Sequence, residues 1–203
     1  LFDLQQPGTD DAERQKGLDY AHAALAAAGN DAETRAVAGL AVITLGREYD
    51  TGMAALHQAV ADNPNSVAVL AYAGVGAIRA GDLGEAEHLL RRAIGFNAKD
   101  SVDEWLLTGM AHVRLAQHSF DEAIGWAARS HAVAPHNQIT LWYLAAATAH
   151  LGRMNEARGW LDHLRAIAQW ATLESVALSQ HMREPARVEV TLTGLRLAGL
   201  REA

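Results

Sequence analysis

The sequence predicts an all-α chain built from stacked helical hairpins, and three observations carry that prediction. Small residues recur in one column at Gly17, Gly52, Ala86, Ala123 and Ala157, with steps of 35, 34, 37 and 34 residues, and in a second at Gly39, Gly74, Gly109 and Ala145, with steps of 35, 35 and 36. Helix stops fall between the units, in ADNPNS and AVAPHN. Half of the 203 residues are apolar but only 6% are aromatic, a balance that suits helices packed through small side chains better than a sheet needing β-branched bulk.

The elements follow in chain order. A lone helix is expected at 11–28, of the kind that forms the second helix of a unit. Hairpins are expected at 32–63, 67–97, 102–134 and 138–167. Two antiparallel helices approach closely only where the side chains at their crossing are tiny, so the two interleaved columns mark the crossing of each pair. A bulkier apolar residue follows the second-helix column at Leu56, Leu90 and Leu161, and another residue of the same face comes three later at Ala59, Ala93 and Leu164. Pro64 and Pro135 stop the second helices, because proline cannot continue a helix and favours an extended residue before it. After the array at 1–167, the remaining 168–203 is read as a capping tail with helices at about 171–181 and 186–199. Pro185 suits a first helical turn, although VEVTLT alternates like a strand.

Trp105 with Gly109 in one helix, and Phe120, Ala123 and Pro135 in the next, resemble the tetratricopeptide repeat, a 34-residue helix-turn-helix unit with a closing proline. The resemblance covers residues 11–167 and implies a right-handed superhelix of hairpins that binds proteins or peptides. GREYD carries an extra residue, AQHSF is a longer turn, and Ala98 replaces the closing proline, so two linkers are expected to lengthen. LAAATAHLGRMNEARGWL and EPARVEVTLTGLRLAGLREA resemble the last repeat and tail of bacterial proteins that carry an N-terminal class III nucleotide cyclase or winged-helix domain. This resemblance implies the regulatory C-terminal part of a larger signalling protein, and a chain that begins at Leu1 without an initiator methionine is expected to be a piece of something longer.

Composition narrows the function. A formal charge of −7 opposes nucleic-acid binding, which rests on Lys and Arg displacing counterions. Without cysteine there is no disulfide frame, thiolate nucleophile or Cys-ligated zinc. No stretch reaches the roughly 18 apolar residues of a membrane span. The expected compartment is the cytoplasm, with neither nucleic acid nor membrane as partner.

An array of this kind works through the surface lined by its first helices. Equivalent lining positions place Leu40, Val75, Met110 and Trp142 in an apolar groove, with a polar column beside them at Thr44, Arg79, Arg114 and His150. The expected partner-binding set is therefore Leu40, Val75, Arg79, Met110, Arg114, Trp142 and His150. The Lys/Asn carboxylate clamp of chaperone-binding tetratricopeptide domains is missing, so chaperone C-termini are not the expected ligand. An apolar groove of this size is covered in water, either by the chain's own tail or by a helix from another chain. The polar column either meets acids of that ligand or answers Glu33, Asp103 or the tail.

No catalytic residue, cofactor or metal site is expected. The ten histidines show no HExxH or comparable spacing, and His57, His88, His131 and His163 fall in second helices. Trp126 and Trp160 sit at equivalent places and are read as packing between repeats. GVGAIRAG lacks the preceding strand of a phosphate loop, so its glycines are read as crossing residues. Acids in GDLGEAE, HSFDEA and GRMNEA favour the positive ends of helix dipoles. The expected function is a non-catalytic interaction module for a protein or peptide segment. The alternatives are a homodimerisation segment tuning an upstream effector domain, or a small-ligand or peptide sensor using the apolar groove.

Overall fold

The computed structural model describes residues 11–96 and 103–203. The regular elements among them are α1 (Asp11–Ala27), α2 (Ala32–Ala41) running into a π-helical turn at Val42–Gly46, α3 (Tyr49–Asp62), α4 (Val67–Ala80) and α5 (Leu83–Phe96). They continue as α6 (Glu104–Ala116), α7 (Phe120–Val133), α8 (Gln138–His150), α9 (Met154–Ile167) and α10 (Leu173–Gln180), then a 3₁₀ turn at Pro185–Val188 that leads into α11 (Glu189–Ala198). Among the described residues there is no strand.

Each first helix begins on a side-chain cap, and the caps keep the repeat period. Asp31 accepts hydrogen bonds from the backbone N–H groups of Glu33 and Thr34, Ser66 from Val69, Asp103 from Trp105, and Asn137 from Ile139 and Thr140. These acceptors satisfy N–H groups that the first helical turn leaves without partners. Between the helices of a hairpin a second column lies in the left-handed region: Arg47 (φ 57°), Gly81 (95°), His118 (59°) and Gly152 (73°). Glycine takes this conformation without strain, whereas Arg47 and His118 are held there by the turn around them.

The extra residue of GREYD does not lengthen a linker as expected. It is absorbed by the π-helical turn, where the N–H of Glu48 reaches back to the carbonyl of Val42 and that of Arg47 to Ile43. VEVTLT is helical. Pro185 opens the 3₁₀ turn, and α11 buries Thr191, Gly194, Leu195 and Ala198, one face of a 3.6-residue period.

Small residues meet where the hairpins cross. A Cβ built on Gly52 would lie 2.5 Å from the carbonyl oxygen of Gly39 and 2.4 Å from Cγ1 of Ile43, so α2 and α3 touch backbone to backbone. At the next crossing the side chain of Leu90 sits against Gly74, 2.8 Å from where a Cβ would be, with the carbonyl of Ala86 at 3.6 Å. Gly76 does the same toward the preceding hairpin, because its Cβ would come within 2.3 Å of Cδ1 of Leu56. Gly109 and Ala123 are buried on α6 and α7, and Ala145 and Ala157 on α8 and α9.

The described residues divide into two compact units. One holds those below residue 99 together with His181–Arg183; the other holds the remainder. Within the second unit, α10 and α11 share the core of α8 and α9 through Leu173, Val176, Leu195 and Ala198.

Alanine should separate the two kinds of helical glycine. Gly52→Ala forces overpacking of roughly 1–3 kcal/mol, which outweighs a propensity gain of about 1 kcal/mol. At Gly125 and Gly159 a Cβ meets nothing within 4 Å, so Gly125→Ala and Gly159→Ala should stabilise by about 0.5–1 kcal/mol each. Urea unfolding midpoints check this; a neutral or stabilising Gly52→Ala contradicts the crossing.

Candidate interaction surface

The expected groove residues of the first unit lie on α2 and α4. Leu40 is buried, while Val75 and Arg79 are partly exposed. Thr44 donates to the carbonyl of Leu40 at 2.7 Å, within its own helix, and accepts from the guanidinium of Arg79. Two successive members of the polar column thus bond each other. The backbone carbonyl of Arg79 accepts from the N–H of Arg183 at 2.8 Å, so residues 181–183 end at this surface.

In the second unit Met110 and Trp142 are 0% and 3% exposed. A Cβ on Gly194 would lie 2.6 Å from the carbonyl oxygen of Ala146 and 2.7 Å from its Cα, so α11 crosses α8 at backbone contact. His150 Nε2 donates to the carbonyl of Val190 at 2.7 Å, and its ring stacks on Phe120 at 4.5 Å with planes 8° apart. Arg114 pairs with Glu122 at 3.0 Å and donates to Gln117 at 2.6 Å. The column is answered inside the chain by Thr44, Glu122 and the tail carbonyl of Val190; Glu33 instead accepts from Ser66 at 2.9 Å and Asp103 caps α6. Among the expected residues, the structure gathers Trp142 and His150 under one helix.

The tail is fastened at both ends. Gly199 ends α11 in the left-handed region, and its carbonyl accepts from Arg165 at 2.9 Å. Beyond it, the carbonyls of Arg201 and Glu202 accept from the N–H groups of Leu173 and Glu174 at 2.9 and 3.2 Å, which caps α10 with backbone in place of a side chain.

Several buried polar groups of the second unit had no counterpart in the sequence reading. Thr108, Ser130 and Thr140 close a ring of hydroxyls at 2.8, 2.9 and 3.0 Å, and His112 Nδ1 meets the hydroxyl of Tyr143 at 2.6 Å. A shared hydroxyl ring satisfies three buried groups at once, which makes it a structural joint between α6, α7 and α8. The only hint in the sequence is that Thr108 and Thr140 lie about one repeat apart.

Three histidines that sequence spacing keeps apart come together here. His163 stands 5.3 Å from His131 and 6.5 Å from His136, ring centre to ring centre, and Trp160 meets His131 edge-on at 5.3 Å. No group of three or more His, Asp or Glu among the described residues is placed to hold a metal ion. Trp126 carries the guanidinium of Arg129 over its ring at 4.5 Å. No described helix is long and apolar enough to cross a membrane.

Solved structures with the same arrangement of helices include PilW, described as a widely conserved type IV pilus biogenesis factor, at 15% identity and a TM-score of 0.68 over 93% of this chain and 85% of that one. MamA superimposes with a TM-score of 0.59 at 16% identity over 78% and 84%. YrrB, described as a TPR protein with an unusual peptide-binding site, gives 0.57 at 13% identity over 88% and 95%. The fold is that of the tetratricopeptide repeat proteins. No protein-family model and no curated protein matches the sequence.

Burial, then His163 and His136 nearby, hold the His131 imidazole below its ordinary value of 6.5. A depressed histidine stabilises the fold above its unfolded value and loses that contribution as pH falls through the interval beneath it. Acidification from above to below pH 6.5 should therefore destabilise the wild-type chain more than His131→Leu. Equal slopes of unfolding free energy against pH would contradict this.

Proposed function

We propose that the chain is a non-catalytic interaction module that docks a protein or peptide segment on the groove-lining faces of its first helices. The observation that carries this reading is α11. It is a short amphipathic helix laid along α8, with Gly194 at the backbone of Ala146 and His150 holding the carbonyl of Val190. A face that seats one helix this closely has the shape and polarity to seat another, and helix-in-groove recognition uses the same i, i+3, i+4 anchors that α11 buries. The peptide-binding site named for YrrB supports the same class of ligand on a shared fold.

Trp142 and Met110 supply the apolar floor beneath such a ligand, and His150 and Arg114 stand at its edge, as Val75 and Arg79 do in the first unit. The setting we infer is regulatory, in the cytoplasmic C-terminal part of a larger bacterial signalling protein. What supports this is the resemblance of residues 184–203 to the tails of cyclase and winged-helix regulators.

Gly194→Val should unseat α11, because a branched side chain cannot occupy the space beside Ala146. Amide exchange over Glu189–Ala198 reports the release. The released chain should then bind, saturably, a synthetic peptide of residues 184–199 with the native glycine, while the wild-type chain does not. An unseated α11 with no peptide binding refutes the proposal for this face.

A further inference from the structure

In the first unit the occupant is a three-residue strap. His181, Met182 and Arg183 lie against α3 and the end of α4: Tyr49 donates its hydroxyl to the carbonyl of His181 at 3.1 Å, and the N–H of Arg183 donates to the carbonyl of Arg79 at 2.8 Å. Both bonds use the strap's backbone, which is how a peptide segment is held regardless of its sequence. The three side chains then differ in how well they fit. Met182 is buried. Arg183 forms two hydrogen bonds to the Asp50 carboxylate, at 2.9 and 3.2 Å, and lies over the Tyr49 ring at 5.8 Å.

His181 fits badly. Its backbone is left-handed at φ 46°, and both ring nitrogens are buried without a hydrogen-bond partner. Positive charge from three elements acts on it: Arg79 on α4, Arg47 in the turn before α3, and Arg14 on α1. Arg14 is fixed there by donating to the carbonyl of Leu45 at 3.1 Å and to Asp11 at 2.9 Å, and Arg79 by its bond to Thr44. Burial, and then these arginines, push the imidazole down to about 4. A buried polar ring with no partner is costly. A carboxylate at this position would be favoured by the same positive charge, and guanidinium groups are the donors best suited to it.

Resting on the interaction reading above, we infer that this corner of the first unit is a docking site for a non-helical segment of another protein that carries an acidic, an apolar and an arginine side chain in succession, and that His181–Met182–Arg183 is its imperfect internal occupant. The backbone bonds and the Met182 position supply binding common to both occupants. Discrimination comes from the first position, where the internal segment offers an unsatisfied imidazole and the external one a charge that the site is built to receive. The strap therefore blocks the site without competing well for it.

The test has an arm within the chain and an arm between molecules. In the full chain, His181→Glu and His181→Asp should each raise amide-exchange protection of the Arg183 N–H about tenfold or more over wild type, and His181→Lys should lower it. Asp is included because it tolerates the left-handed backbone. For the second arm, Met182→Ser with Arg183→Ser opens the site, and peptides of residues 178–186 are titrated in while the amides of Tyr49, Asp50 and Arg79 are followed by NMR. The peptide carrying His181→Glu should bind at least tenfold more tightly than the native one, and Arg79→Gln in the opened chain should remove that preference. If neither acidic variant protects the strap better than histidine, the site chemistry proposed here is wrong. If the acidic variants protect it and no peptide binds the opened chain, the docking role fails and the strap is only structural.

Discussion

At the first crossing, α2 and α3 meet so closely that no atom fits between the carbonyl of Gly39 and the Cα of Gly52, and every other feature of the chain depends on contacts of that kind. Alanine- and glycine-rich helices of about 14 residues are marginal alone, and their stability comes from faces that fit. Close approach increases dispersion contacts along both helices and puts Leu56, Leu90 and Leu161 into closed interiors, each 0% or 1% exposed. The crossings are not identical. Leu90 fills the space beside Gly74, whereas Gly39 meets the carbonyl of Gly52 together with the side chains of Ala55 and Leu56, so the same column position is met mainly by one side chain in one unit and partly by a peptide group in another. Gly194 uses this device once more, and the tail is joined to α8 by the same contact that joins the helices of a hairpin.

That continuity explains what was readable from the sequence. Crossing residues obey a period, so Gly39, Gly52, Gly74 and Ala86 announce helices and their pairing before any coordinate is known. The caps Asp31, Ser66, Asp103 and Asn137 carry the same period and were legible in principle, since each stands just before an apolar helical run. The lining positions were assigned from the same period, with the chain's own tail as one of the two covers expected for them. A column such as Thr44, Arg79, Arg114 and His150 shows where polar groups face, whereas their partners depend on rotamers and on residues outside the column, such as Glu122. The strap was not legible at all. It joins distant parts of the chain, with Tyr49 and His181 132 positions apart, through two backbone bonds and one exposed ion pair, and backbone bonding leaves no side-chain signature. The π-helical turn was hidden for a related reason: one extra residue looks the same in sequence whether a loop or a helix absorbs it.

Self-occupation has a quantitative consequence for any ligand of these faces. An external segment competes with one tethered nearby, whose effective concentration is on the order of millimolar for a short flexible connection. Its apparent affinity is reduced by the fraction of time that the site stands open. A covered site therefore discards weak, generic apolar ligands, which would otherwise adhere to exposed Trp142 or Val75, and admits those whose extra contacts exceed what the internal occupant makes. Specificity then comes from the difference between two occupants more than from the total strength of either.

The two covers differ in kind. The α11 helix buries Leu195 and Ala198 and is tied by Arg165 at its end, so its removal exposes an apolar core as well as a groove. The strap on the first unit buries one large apolar side chain, and its Arg183–Asp50 pair is largely solvent-exposed and so contributes little. Its first residue adds an unmet desolvation cost. Opening the first unit thus disturbs few contacts, while opening the second approaches local unfolding. Local opening free energies scale with the apolar contact and shielded hydrogen bonding that must be given up, which makes the strap the more readily exchanged element. A ligand of the first unit needs to match only three side chains and two backbone bonds, and the surface that reads them is already formed before it arrives.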